Sequence, residues 1–129
     1  MLPDLRPGVS RFVEFVVDPS MRPIFDGVAV HDVCSTWTLA HYMELAGRRV
    51  LTDFLEPHEE GVGSYVSVEH VGPAALGRTV RVTATATQVT DRRLECDVVA
   101  AVADRVVATG KTTQNIFPRD VLERILERG

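Results

Sequence analysis

The stretch CSTWTLAHYMELAG, residues 34–47, decides the fold, because it has the hydrophobic spacing of a helix that packs against a sheet. Its apolar residues recur at steps of four, three and four, which is the helical period. They are Leu39, Met43, Ala46 and, just beyond the stretch, Val50. Ser35 or Asp32 is suited to cap the N-terminus, and the pattern carries the predicted helix past Gly47 toward Phe54.

Strands are predicted on both sides of this helix from the alternation of apolar and polar residues. Residues 11–17 form a first strand, and a Pro- and Gly-containing connection then leads to the helix. After a predicted loop at 56–63, further strands cover residues 62–71, 78–89, 94–103 and 106–117, and a short amphipathic helix covers 119–128. The order predicts an α+β hotdog fold, in which an antiparallel sheet wraps around one long central helix.

Composition and charge narrow the classes of function. The chain has 129 residues, of which 45% are hydrophobic and 25% charged, so we expect a single globular domain over residues 1–129. A net charge of −4 without a long basic run disfavours binding to nucleic acid or to an anionic membrane. With no evident secretory signal and no apolar run of about 20 residues, we expect a cytoplasmic protein. Cys34 and Cys96 are expected to be reduced and buried, since the ligand spacing of a zinc site is absent.

An open sheet of this kind leaves edge strands exposed. Pairing two chains edge to edge satisfies the unpaired backbone N–H and C=O groups of these strands. We therefore expect a homodimer, which could assemble further into a tetramer.

Two polar residues share the predicted helix face with the core residues. Thr36 and Glu44 lie eight positions apart, with residue 40 between them, and so form a stripe along the helix. Glu44 could lie at the edge of the buried face, where it reaches water or pairs with Arg48. If it is buried instead, the carboxylate would resist ionisation and could act as a base near neutral pH.

His70 alternates onto the same strand face as Val66 and Val68. A histidine in that position could be a hydrogen-bonded core residue. It could also join Thr36 and Glu44, because a hydroxyl, a carboxylate and an imidazole form a nucleophile, base and proton shuttle when they converge.

The segment from Val33 to His70 resembles the hotdog thioesterases related to fluoroacetyl-CoA thioesterase. That family has a threonine, a glutamate eight residues later, a glycine that begins the next strand, and a histidine seven residues beyond the glycine. Here these residues are Thr36, Glu44, Gly63 and His70. The resemblance extends to a G-x-T-x-x strand end at residues 110–114.

The resemblance implies a hydrolase of acyl-CoA or another acyl thioester. Glu44 would be the nucleophile or the base for water, Thr36 would hold Glu44 or assist attack, and His70 would activate water or shuttle a proton. Gly63 would line the pocket. Coenzyme A would enter only as part of the substrate, and no other cofactor and no metal is implied.

Two positions depart from the fluoroacetyl-specific pattern. The phenylalanine lid, six residues before the threonine, is Val30 here, and an arginine near the pocket on the last strand is Gln114. Both positions are expected to contact substrate, so we predict a hydrolase that is not specific for fluoroacetyl-CoA.

Two other functions stay open at this point. Asp26 and His31 have the spacing found in hotdog enoyl-CoA hydratases, although the asparagine-proline that follows the aspartate in that motif is missing. The chain could also bind an acyl-CoA without catalysis, with Glu44 and His70 as ordinary hydrogen-bonded residues.

Overall fold

The computed structural model describes all 129 residues and contains eight strands and two α-helices. The elements are β1 (Ser10–Val16), β2 (Ile24–Phe25), β3 (Val28–Ala29), α1 (Thr36–Thr52), β4 (Glu59–Val66), β5 (Glu69–His70), β6 (Thr79–Val89), β7 (Arg93–Val102), β8 (Arg105–Pro118) and α2 (Arg119–Arg128). Neither helix is long and apolar enough to cross a membrane.

Six strands form one antiparallel sheet in the order β1-β6-β7-β8-β4, and β5 also pairs with β8. Helix α1 packs against five of these strands, so the sheet curls around it. The predicted α+β hotdog architecture is therefore confirmed. In this topology β1 and β4 are the edge strands.

Helix α1 begins and ends close to where its sequence predicts. The Ser35 side chain accepts a hydrogen bond from the backbone N–H of Thr38 at 3.2 Å, which makes Ser35 the N-cap. The helix continues through Gly47 to Thr52. Gly47 is required for packing, because a Cβ there would collide with the Thr112 side chain of β8. The absence of a side chain thus lets the helix approach the sheet closely.

The core lies between α1 and the concave face of the sheet. The alternation predicted for β6 and β7 is confirmed, since every second side chain is buried from Val80 to Ala86 in β6 and along the whole of β7. Cys34 and Cys96 belong to this core as free thiols, and burial raises the pKa of each to about 11. Both cysteines are buried, as predicted.

The segment between α1 and β6 differs from its prediction. The predicted loop at 56–63 is too long, because β4 already begins at Glu59. The single strand predicted at 62–71 is wrong as well: a bulge lies between Gly63 and Tyr65, and pairing stops after Val66 before it resumes at Glu69. The bulge shifts the alternation of side chains, so Val62 and Val66, which were predicted to share a face, lie on opposite faces of the sheet.

The structure also contains one short element that the sequence did not predict. The connection from Asp18 to Asp32 contains a short hairpin formed by β2 and β3. Helix α2 forms as predicted, but its apolar side is only partly covered, and Leu126 is 66% exposed.

Candidate active site

Thr36 and Glu44 lie at the border of the packed face of α1. Both side chains are exposed in the chain, whereas Leu39 and Met43 between them are fully buried. The alternative in which Glu44 is buried is therefore wrong, and so is its pairing with Arg48. The Arg48 guanidinium instead donates hydrogen bonds to the Glu60 carboxylate and to the Gly61 carbonyl, both at 3.0 Å.

Thr36 and His70 form a hydrogen-bonded pair. The Thr36 Oγ1 lies 2.9 Å from Nδ1 of His70, although the residues are 34 positions apart. Thr36 is the first residue of α1, and β5 reaches it because His70 pairs with Ala108 of β8. His70 is half-buried beside the N-terminal end of α1.

This pair is suited to proton transfer. The bond to Thr36 occupies Nδ1 and orients the ring, which leaves Nε2 for a water molecule or a leaving group. The N-terminus of α1 also presents backbone N–H groups that have no partner within the helix, and these favour negative charge.

Glu44 and Gly63 form a second close pair. A Cβ built at residue 63 would stand 2.5 Å from Oε1 of Glu44, so the carboxylate occupies space that only a glycine leaves open. An open cavity of about 310 Å³ adjoins the carboxylate, and its walls include Gly63 and Gln114. Gly63 therefore lies beside Glu44 at the wall of this cavity. Binding of substrate in the cavity stays a prediction.

Gln114 lies at the wall of this cavity, directly opposite Gly63 in the β4–β8 pairing. Its side chain is 2% exposed, and its Nε2 has no hydrogen-bond partner in the protein. Val30 is not part of the same cavity. It is 46% exposed and follows the β2–β3 hairpin.

The predicted residues thus form two groups within one chain. Thr36 and His70 form one, and Glu44 forms the other with Gly63 and Gln114. Eight helical residues correspond to a rise of about 12 Å, so Glu44 and the Thr36–His70 pair do not touch.

Asp26 has a structural role that accounts for its position. Asp26 and Gly27 are the two residues of the β2–β3 turn, with φ of 51° and 80°. A two-residue turn with two positive φ angles favours the sequence Asp-Gly. Asp26 and His31 are both exposed, and neither is the hydrogen-bond partner of Thr36 or His70, which bond each other.

One other cluster has the donor atoms of a metal site. Glu56, His58 and Glu59 each place a potential ligand atom within 4.8 Å of the others. The two carboxylates already bind the Met1 ammonium group, at 2.9 Å and 2.8 Å. Each carboxylate thus already has a cationic partner within the chain.

The sequence prediction missed His41 as a wall residue of the cavity. The signal was present, because residues 41, 44 and 48 are spaced by three and four and share one helix face. His41 also stacks edge-on against Tyr42, with ring centroids 4.9 Å apart.

Comparison with known proteins agrees with this arrangement of sheet and helix, which is that of hotdog thioesterases. A family profile described as "FlK: Fluoroacetyl-CoA-specific thioesterase" matches residues 17–120. The chain belongs to this family and is thereby classed as a thioester hydrolase. No sequence among curated proteins matches it.

Solved structures show the same relationship. A thioesterase superfamily member from Thermus thermophilus is 34% identical, with a TM-score of 0.92 over 98% of this chain and 94% of the other. The fluoroacetyl-CoA thioesterase FlK is 25% identical, with a TM-score of 0.84 over 95% of this chain and 96% of FlK. A hot-dog-like protein from Thermanaerovibrio acidaminovorans is 26% identical, with a TM-score of 0.85 over 98% and 93% of the two chains.

Proposed function

We propose that this protein hydrolyses acyl-CoA thioesters to a carboxylic acid and coenzyme A, with Thr36, Glu44 and His70 as its catalytic residues. The observation that carries the proposal is the hydrogen bond between Thr36 Oγ1 and His70 Nδ1 at the N-terminus of α1. It joins two of the residues that the family resemblance names, and it leaves the second imidazole nitrogen free for chemistry. A structure of FlK with fluoroacetate and CoA supports CoA as the thiol carrier.

The active form is a homodimer in this proposal. Strand β4 is an unpaired edge, and it carries Gly63 and the exposed side chains of Tyr65 and Val66. Joining this edge to a second copy about a two-fold axis would cover those side chains. It would also bring Glu44 of one protomer toward the Thr36–His70 pair of the other, which the spacing of about 12 Å along α1 prevents within a single chain.

Two routes for Glu44 remain within the proposal. In the first, its carboxylate attacks the thioester carbon and forms an anhydride, the thiolate leaves, and water then hydrolyses the anhydride. In the second, the carboxylate removes a proton from the water that attacks directly. In the first route His70 donates a proton through Nε2 to the departing sulfur and regains one from the water that hydrolyses the anhydride. In the second route His70 donates a proton to the sulfur and is reprotonated from solvent, while Glu44 releases the proton taken from water. The helix N–H groups stabilise the oxyanion in both routes.

The acyl specificity is expected to differ from that of FlK. Val30 stands where the fluoroacetyl-specific enzyme has a phenylalanine lid, and it is exposed. Gln114 stands where that enzyme has an arginine. The proposal therefore includes hydrolysis without fluoroacetyl specificity, needs no metal or other cofactor, and retains the cytoplasmic location expected from the sequence.

The experiment is a panel of acetyl-, fluoroacetyl-, butyryl- and hexanoyl-CoA, assayed by release of free thiol. Wild type should hydrolyse at least one of them, and Glu44→Ala and His70→Ala should each lower kcat/KM by about 100-fold or more. Glu14→Ala is the matched control, because this exposed carboxylate on β1 only pairs with Arg81 at the surface. Full activity in both site variants would sink the catalytic assignment, and no thiol release with any substrate would favour an acyl-CoA-binding protein.

A further inference from the structure

The edge of the sheet is interrupted at Ser67 and Val68, the two residues between β4 and β5. The residues before and after this break pair with β8 at the same offset, so Ser67 lies opposite Lys111 across it. A slip of register therefore does not cause the break. It lies three residues before His70, so its cause bears on the candidate active site.

Ser67 and Lys111 exchange hydrogen bonds in an unusual way. In a regular antiparallel pair of this kind, each residue donates its backbone N–H to the backbone carbonyl of the other. The Ser67 N–H does donate to the Lys111 carbonyl, at 2.9 Å. The Lys111 N–H, however, donates to the hydroxyl Oγ of Ser67, also at 2.9 Å. The serine side chain thus takes the place of its own carbonyl as the acceptor.

This exchange releases the Ser67 carbonyl from the sheet. The carbonyl accepts no hydrogen bond within the protein, and it lies against Gly110 of β8, in the space that a Cβ there would fill. The end of the Met43 side chain adjoins the same space, so the carbonyl is turned toward the α1 side of the sheet. The arrangement depends on a hydroxyl at residue 67 as well as on a glycine at residue 110.

The position of His70 depends on the two fixed points that flank β5, because this strand has only two residues. One fixed point is the Ser67–Lys111 pair. The other is the residue after His70, whose N–H donates to the Val107 carbonyl at 2.8 Å. Between these points the imidazole meets the Thr36 hydroxyl at 2.9 Å.

Loss of the Ser67 hydroxyl would leave the Lys111 N–H without its acceptor. The regular pairing would then be restored by turning the Ser67 carbonyl back toward Lys111, which rotates the peptide that leads into β5. A shift of about 1 Å in a group that takes part in the reaction can cost about 100-fold in rate.

We propose that Ser67 is a positioning residue, whose hydroxyl holds the Lys111 N–H and thereby sets β5 where His70 bonds Thr36. The inference rests on the proposed function, because it assigns a further residue to that same site. Ser67 acts through His70 and does not touch the substrate.

The first test compares Ser67→Thr with Ser67→Val, since the two variants have nearly the same shape and only the first keeps a hydroxyl. Ser67→Val should lower kcat by at least about tenfold and leave KM within about twofold, because His70 acts on the reacting bond. Ser67→Thr should retain most of the wild-type kcat. Ser67→Ala replaces Ser67→Val if the branched variants lower the Tm. Ser10→Ala is the control, because the Ser10 hydroxyl bonds Thr85 at the opposite edge of the sheet and should leave kcat unchanged.

A double-mutant cycle separates positioning from a general loss of structure. In a Thr36→Val background the partner of His70 is already missing, so Ser67→Val should lower kcat by no more than about twofold further. An equal loss in both backgrounds would show that Ser67 does not act through the Thr36–His70 bond, and this result would overturn the inference.

The imidazole signals of the four histidines in an NMR spectrum give a readout that needs no turnover. Ser67→Val should shift the ring nitrogen signals of His70 in the same direction as Thr36→Val does, and Ser67→Thr should keep them in place. The signals of the other three histidines should stay unchanged. If wild type hydrolyses no thioester, the proposed function fails, yet these shifts still support the position assigned to Ser67. Unchanged His70 signals in Ser67→Val overturn it.

Discussion

The carboxylate of Glu44 lies over Gly63, so closely that a Cβ on residue 63 would stand 2.5 Å from Oε1. Helix α1 and strand β4 are thus packed around a carboxylate at the sheet edge, and the glycine makes room for it. The same contact explains why an acidic residue can sit next to the packed face of the main helix: its charged end leaves the core and enters an open cavity.

Replacing that glycine should displace the carboxylate. In Gly63→Ala we expect kcat/KM to fall by about 100-fold, since a misplacement of about 1 Å can cost that much. The Tm should change little, because the displaced group is the end of an exposed side chain. Gly61→Ala is the control, since a Cβ there meets Leu51 in the core and should lower the Tm more than the activity. Full activity in Gly63→Ala would contradict the role of this contact.

The Thr36–His70 hydrogen bond should be measurable by substitution. Thr36→Val removes the partner of Nδ1 and should lower kcat/KM by at least about tenfold, whereas Thr36→Ser keeps a hydroxyl and should lose less. In a double-mutant cycle, Thr36→Val combined with His70→Gln should cost little more than His70→Gln alone, because the two residues act as a unit. Additive losses would show that they act separately.

A site shared between two protomers predicts complementation. Glu44→Ala and His70→Ala should each be nearly inactive alone, and random exchange between the two should restore about a quarter of wild-type activity, since half of the dimers then hold one intact site of two. Sedimentation must show dimers in each sample. If mixing restores nothing although the chains exchange, both residues act within one protomer.

Acid sensitivity should depend on Glu60. Hydrogen bonds from Arg48, and then from the Gly61 N–H, hold the pKa of Glu60 below its ordinary value of 4.5. Because the folded pKa is the lower one, this carboxylate contributes stability above pH 4.5, which is lost as the pH falls through the folded pKa. Glu60→Gln should therefore lower the free energy of unfolding at neutral pH by about 1 kcal/mol and flatten its fall in acid. An unchanged acid slope in Glu60→Gln would contradict this contribution.

The two cysteine thiols should be unreactive toward a thiol reagent in the native protein. Cys34 and Cys96 are no more than 1% exposed, and burial raises the pKa of each to about 11. A thiolate is the reactive form, so a thiol reagent should react with neither cysteine before unfolding and with both in denaturant. Rapid labelling of native protein would contradict their burial. If neither cysteine reacts, the free thiol measured in the hydrolysis assay comes from the product alone.

Much of the fold follows from local patterns. The spacing of Leu39, Met43 and Ala46 predicts α1, and alternation predicts β6 and β7, because in both cases one side of a regular element must face the core. The break in the strand that leads to His70 could not be predicted. At this break the Ser67 carbonyl lies against Gly110 of β8, in the space that a Cβ on residue 110 would fill. The contact joins residues far apart in sequence, so no local pattern predicts it.

For the candidate site, the sequence by itself determined which residues are the candidates for chemistry: a threonine at a helix start, a glutamate eight positions later, and a glycine and a histidine in the segment that follows. Periodicity left open whether Glu44 is buried or lies at the edge of the packed face, because helical spacing defines a face but not how far the sheet covers it. Only the tertiary structure decided that His70 bonds Thr36, that Gly63 makes room for Glu44, and that Gln114 is buried with its Nε2 donor unpaired. These three facts depend on how β4, β5 and β8 pair around α1. Such pairing brings together residues that are far apart in sequence, so a local sequence pattern cannot predict it.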